Sequence, residues 1–128
     1  MKKDKRLTQF SQAHGRLEEA LAMPLSQPLV LDGTIQRFEF TFELAWKTLK
    51  VFLEDQGIQC QSPKGCLREA FRLGWIAAED EEKWLALLQA RNMTSHVYNE
   101  KMALEIYQTI KKHACLFNQL LKILPLQK

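Results

Sequence analysis

Between Asp32 and Gly57 the chain reads DGTIQRFEFTFELAWKTLKVFLEDQG. Ile35, Phe38, Phe42, Ala45, Leu49 and Phe52 recur at intervals of three and four, the repeat of one helix face. Phe40, Leu44 and Val51 lie away from that stripe, so apolar side chains cover much of the circumference. A helix of this kind is central in a bundle or touches a second subunit. Asp32 is a good N-cap residue, with Gly33 and Thr34 just inside, and Gly57 is a natural residue to follow the last turn. Glu39, Glu43 and Lys47 form an i, i+4 ladder on the remaining surface, read first as a solvated or half-buried helix face and second as a site.

The flanking segments carry the same period. From Asp4 to Met23, Leu7, Phe10, His14, Leu17 and Leu21 form one stripe, and Pro24 and Pro28 close the helix. A short third helix is capped by Ser62, carries Pro63 at its first position and ends at Gly74. Trp75 and Ile76 then tuck under the bundle. The fourth helix opens on EDEEK, an acidic turn that suits the helix dipole, and buries Trp84, Leu85, Leu87 and Leu88. The last runs from Asn99 to Leu124, where Pro125 stops it, on a stripe of Ile106, Ile110, His113, Phe117, Leu120 and Leu124. No β-alternation, repeat or low-complexity segment competes. At 128 residues the chain is one domain, residues 1–128. The short connections predict an all-α, up-and-down bundle of four main helices plus one short helix, and the broad apolar cover of the second helix motivates the expectation that it is dimeric.

Composition narrows the function classes. A hydrophobic fraction of 46% and a charged fraction of 26% describe an ordinary globule, and a formal charge of +3 permits nucleic-acid contact without arguing for it. Cys60, Cys66 and Cys115 form no C-x-x-C pair, and the charged start MKKDKRLTQFSQAHG lacks an apolar signal region. The expectation is a cytoplasmic protein with reduced cysteines. No apolar run approaches the ~20 residues needed to cross a bilayer. No metal or other cofactor is expected: there is no Glu-x-x-His, and Cys60 and Cys66 lack zinc-site spacing and partners. His14 and His113 fall on apolar stripes as core or interface histidines, and the three tryptophans read as core.

The stretch QARNMTSHVYNE, Gln89 to Glu100, breaks the pattern. Arg91 offers a planar cation that can grip phosphate oxygens in pairs, and His96 can take and return a proton near neutral pH. A metal-free ribonuclease needs those two functions. On one straight helix Arg91 and His96 would diverge by about 140°. They converge only if the helix ends or bends between Asn92 and Tyr98, if the arginine reaches around, or if two subunits each supply a set. Asn99 looks like a new N-cap.

The sequence RNMTSHVY has the form R-x4-H-x-Y and, with QRFEFTFELAWK, resembles the HEPN superfamily. It is most similar to the HepT toxins paired with minimal nucleotidyltransferases, also described as nucleotidyltransferase substrate-binding proteins. The resemblance covers nearly the whole chain and holds at all three motif positions. It implies a dimeric helical bundle whose motifs meet at a cleft between subunits. It also implies a metal-independent RNA endonuclease in which Arg91 stabilises the phosphate and His96 transfers protons. Asn92 would orient His96 or the RNA. Tyr98 would accept AMP from a partner nucleotidyltransferase encoded nearby. A non-catalytic subunit holding a nucleotide or the partner's substrate in the same cleft is the rival reading, and a structural helical adaptor is a third.

Overall fold

The computed structural model describes residues 2–127, and among them there are helices and no strands. They are α1 (Lys2–Leu21), α2 (Val30–Asp55), α3 (Pro63–Arg72), α4 (Glu81–Met93), α5 (Glu100–His113) and α6 (Cys115–Ile123). Short 3-10 turns occupy Ala78–Asp80, Thr94–His96 and Leu124–Leu126. The all-α bundle read from the sequence is the observed architecture. Among the described residues no helix is long and apolar enough to cross a membrane.

Helix α2 is the central element, packing against α1, α3, α4 and α5. Its contact with α1 is set by residues the apolar stripe does not include. Thr34, Thr41 and Thr48 stand seven apart and are all fully buried. Thr41 Oγ1 lies 3.1 Å from the Ala13 carbonyl oxygen and 2.8 Å from that of Arg37; Thr48 donates to the Arg6 carbonyl at 3.2 Å. Arg37 reaches the Arg16 carbonyl at 2.7 Å. The partners run backwards along α1 as α2 runs forwards, so the two helices are antiparallel. A small hydroxyl side chain lets the backbones approach and satisfies its own polarity on a carbonyl, which a buried serine or threonine must do.

Phe117 of α6 is the hub of the core. Its ring centroid lies 6.2 Å from Phe10 of α1, 6.3 Å and 6.4 Å from Phe38 and Phe42 of α2, and 5.6 Å from Trp84 of α4. One ring therefore joins four helices, and each aromatic pair adds about 0.5–1.5 kcal/mol beyond area burial. His14 packs edge-on to the same ring at 6.5 Å. Its Nε2 lies 3.0 Å from Glu18 Oε1 but is not aligned as a hydrogen bond. Trp84 is buried, and Trp46 and Trp75 are half-buried against the core.

Several expectations are corrected. Helix α2 starts at Val30, with Leu29 rather than Asp32 in the cap position, and Leu29 adopts a left-handed conformation, φ 71°. Pro28 just ahead and the apolar residues Val30 and Leu31 favour continuing the helix backward, so Asp32 falls inside the first turn. Phe40 is not covered but 54% exposed, and Leu85 is exposed while Trp84 and Leu87 are buried. The last arm is not one helix: Ala114 separates α5 from α6, with Phe117 N–H turning back to the Ala114 carbonyl at 3.1 Å. The bend lets Leu116, Phe117 and Leu120 all reach the core.

The cysteines are not all reduced. Cys60 and Cys66 form a disulfide with Cα atoms 5.3 Å apart, and Cys115 is free and exposed. Ser62 accepts from Gly65 N–H at the start of α3, with Pro63 at the first helical position. That turn brings Cys66 back against the incoming segment that carries Cys60.

Candidate active site

Helix α4 ends two residues after Arg91. The Thr94 N–H bonds back to the Arg91 carbonyl, Thr94–His96 tighten into a 3-10 turn, and Val97 is extended (φ −87°, ψ 111°). Asn99 then caps α5, its Oδ1 accepting from Met102 N–H at 2.9 Å. Of the alternatives the sequence left open, a helix end between Asn92 and Tyr98 is present, and Asn99 is the new N-cap.

Arg91 leaves the last turn of α4 and crosses to α2. Its Nη1 lies 3.7 Å from Glu39 Oε2 and its Nη2 3.9 Å from Glu43 Oε2, with about a third of each side chain exposed. Nη1 also donates to Thr94 Oγ1 at 3.3 Å. The Thr94 hydroxyl has one proton and two acceptors in reach, Arg91 O at 2.7 Å and Glu39 Oε2 at 3.0 Å. Lys47 Nζ lies 3.4 Å from Glu43 Oε1. Glu39, Arg91, Glu43 and Lys47 thus form an alternating, formally neutral row.

The other candidates lie beyond that row. Asn92, His96 and Tyr98 are exposed, Tyr98 by 79%. No hydrogen bond or ion pair joins Arg91, His96 and Tyr98 to one another among the described residues, and none links Asn92 to His96. Within one chain the break gathers the three at one end of α4 without bringing them into contact. Tyr98 lines a groove of about 610 Å³ between residues 25–32 and the start of α5, with Asp32, Asn99 and Glu100 among its polar lining. Among the described residues no group of three or more histidine, cysteine or acidic side chains is arranged to hold a metal ion.

Thr94 is the neighbour of Arg91 that sequence reasoning missed, and Glu39 and Glu43, read there as a helix face before a site, face Arg91. The two glutamates interrupt the apolar cover of α2 at i, i+4, which marks a polar patch. Spacing on α2 alone could not say that α4 ends opposite it.

A family model described as nucleotidyltransferase substrate binding protein like matches residues 5–125. The chain is 38% identical over 89 residues to a probable ribonuclease HepT from Haemophilus influenzae. That match spans 66% of this chain and 60% of the relative's own length. A crystal structure from Thermus thermophilus superimposes with a TM-score of 0.84 at 35% identity, covering 90% of this chain and 98% of that one. A second, from Haemophilus influenzae, is described as revealing the fold of a substrate binding domain of a nucleotidyltransferase. It superimposes with a TM-score of 0.79 at 30% identity, covering 93% of this chain and 98% of that one.

Proposed function

This chain belongs to the nucleotidyltransferase substrate binding protein like family, and from that premise we propose that it is a HepT-like toxin. It acts as a metal-independent RNA endonuclease, works as a homodimer in the cytoplasm, and is neutralised by a partner minimal nucleotidyltransferase. The observation that supports this reading most directly is the break after α4, where a part-exposed arginine is followed by an exposed histidine and an exposed tyrosine. The similarity to a protein described as a probable ribonuclease adds to it.

In this reading an RNA 2′-hydroxyl gives its proton to His96 as its oxygen attacks the neighbouring phosphorus. Charge builds on the phosphorus oxygens, where the Arg91 guanidinium holds it. The bond from phosphorus to the 5′-oxygen breaks, that oxygen takes a proton, and a 2′,3′-cyclic phosphate and a 5′-hydroxyl remain. One histidine at each side of the phosphate suits the two proton transfers, and a second copy of the chain supplies the other. Asn92 orients His96 or the RNA. For neutralisation, Tyr98 Oη attacks the α-phosphorus of ATP, releases pyrophosphate and its own proton, and leaves a bulky anion on the groove beside the site.

A second reading is favoured by the family's description and by that of the Haemophilus structure. The same residues then bind a nucleotide or the partner's substrate without cutting. Cleavage of RNA in EDTA separates the two. The ribonuclease reading expects His96→Ala and Arg91→Ala each to lower the rate about 10²–10⁴-fold. Intact RNA with wild-type protein, together with measurable AMP binding, supports the second reading and sinks the first.

A further inference from the structure

Arg91 is charge-paired but its donors are largely unspent. Both carboxylate contacts, 3.7 Å and 3.9 Å, lie outside hydrogen-bonding range. One N–H reaches Thr94 at 3.3 Å; Nε also has no acceptor but is buried, so the donors open to a ligand are those of the terminal nitrogens. A guanidinium carries five N–H donors in a fixed fork. Carboxylates free to satisfy it would close to about 2.7–2.9 Å. Here Thr94 intervenes, its hydroxyl 3.0 Å from Glu39 and 3.3 Å from the arginine.

We propose that Glu39 and Glu43, with Thr94 wedged between Glu39 and the guanidinium, are positioning residues for Arg91: they hold its charge in place across space and leave its donors for a phosphodiester of RNA. This rests on the assignment of Arg91 to phosphate made above. Attraction across 3.7–3.9 Å orients the side chain before substrate arrives, so the guanidinium already stands where charge builds on the phosphate as the 2′-oxygen attacks. Lys47 offsets the second carboxylate, so an incoming phosphate meets a neutral row and not a net negative one. The i, i+4 spacing of Glu39 and Glu43 lets one helix face present both carboxylates to the two ends of the guanidinium.

The test combines three measurements. The first is cleavage of a single-stranded RNA, the second is binding of its 2′-O-methyl form, which has no nucleophile, and the third is the Arg91 Nε–Hε cross-peak in NMR. The cross-peak is assigned by its loss in Arg91→Lys. In Glu39→Gln, kcat is expected to fall about tenfold to a hundredfold. KM and 2′-O-methyl affinity should stay within about twofold, the split expected when orientation and not ground-state binding is lost. The cross-peak should move toward those of exposed arginines, and Glu39→Asp should recover part of kcat. Wild-type kcat and an unmoved cross-peak in both Glu39→Gln and Glu43→Gln overturn the proposal, as does a kcat loss matched by a fall in thermal midpoint and in binding. If wild-type protein leaves RNA intact, the ribonuclease reading fails by itself. Titration with inorganic phosphate then decides the positioning role. A saturating cross-peak position that differs between wild type and Glu39→Gln supports it, and no shift in wild type overturns it.

Discussion

Thr94 Oγ1 lies 3.0 Å from Glu39 Oε2, joining residues 55 positions apart in sequence. The end of α4 is therefore fixed in space against α2 as well as terminated locally. Thr94→Val keeps the shape of the side chain and removes the hydroxyl. The loss removes the single O–H donor that Glu39 and the Arg91 carbonyl compete for, and the acceptor that meets Arg91 Nη1, and should cost about 1 kcal/mol. Urea unfolding checks it, with Thr94→Ser expected to stay near wild type.

Phe117→Ala removes the ring that four helices share. Phe117 is fully buried among large side chains that cannot all collapse into the space. The expected loss is about 3–5 kcal/mol, a large fraction of the 5–15 kcal/mol that typically holds a domain together. A shift in the urea midpoint of less than about a quarter of the wild-type value would show that the ring is not the hub of stability that its geometry makes it.

The Cys60–Cys66 bond closes a short loop, with a sequence separation of 6. Loop entropy gives it a stabilisation of about 2 kcal/mol. Reduction should lower the unfolding free energy by that amount. Alkylation of unreduced, unfolded protein should label one thiol, that of Cys115, and mass spectrometry that finds three labels would show the bond to be absent.

His113 is half-buried near the end of α5, and burial, then the charges of Lys112 and Lys83, lower its pKa from 6.5. The unfolded chain therefore binds this proton more readily than the folded one. The stabilising contribution is complete above about 6.5 and is lost as pH falls from there through the folded value. Carboxylates add their own slope, so the readout is the difference between wild type and His113→Gln. The variant should lose less stability than wild type on acidification through this window. Parallel pH profiles of the denaturant midpoint would exclude the effect.

How much of this was legible depends on whether a feature was local. The stripe of Phe38, Phe42 and Leu49, the stop at Gly57 and the caps at Ser62 and Asn99 each follow from near neighbours, and all are observed. The break after Met93 was one of three ways offered for Arg91 and His96 to converge, and the weak helix formers Thr94 and Ser95 with the cap at Asn99 make it local chemistry. What pairs across the bundle was not readable. Thr34, Thr41 and Thr48 look like weak helix formers until α1 supplies carbonyls for Thr41 and Thr48. Glu39 and Glu43 look like a solvated ladder until Arg91 arrives opposite them. The split at Ala114 was hidden because Ile110 and Phe117 keep helical spacing straight through it.

Tyr98 offers the sharpest functional test. Its ring is 79% exposed beside a groove of about 610 Å³, and its hydroxyl makes no hydrogen bond within the chain among the described residues. A phenol in that state costs nothing to engage and is open to a second protein's active site. If the proposed neutralisation holds, incubation with a partner nucleotidyltransferase and ATP should add AMP to Tyr98, visible as a mass increase on the peptide that carries it, and should strongly lower RNA cleavage. Tyr98→Phe removes the acceptor oxygen and leaves Arg91 and His96 untouched, so the variant should cleave RNA and resist neutralisation by the partner. The attached phosphodiester adds one negative charge and a nucleoside's bulk, and charge repulsion of RNA by such a group weakens with salt. Any cleavage left in the modified protein, taken as a ratio to unmodified protein at the same salt, should therefore rise with ionic strength if charge dominates, and stay flat if bulk does. Modification at another residue, or a Tyr98→Phe protein still silenced by partner and ATP, would remove Tyr98 from this role.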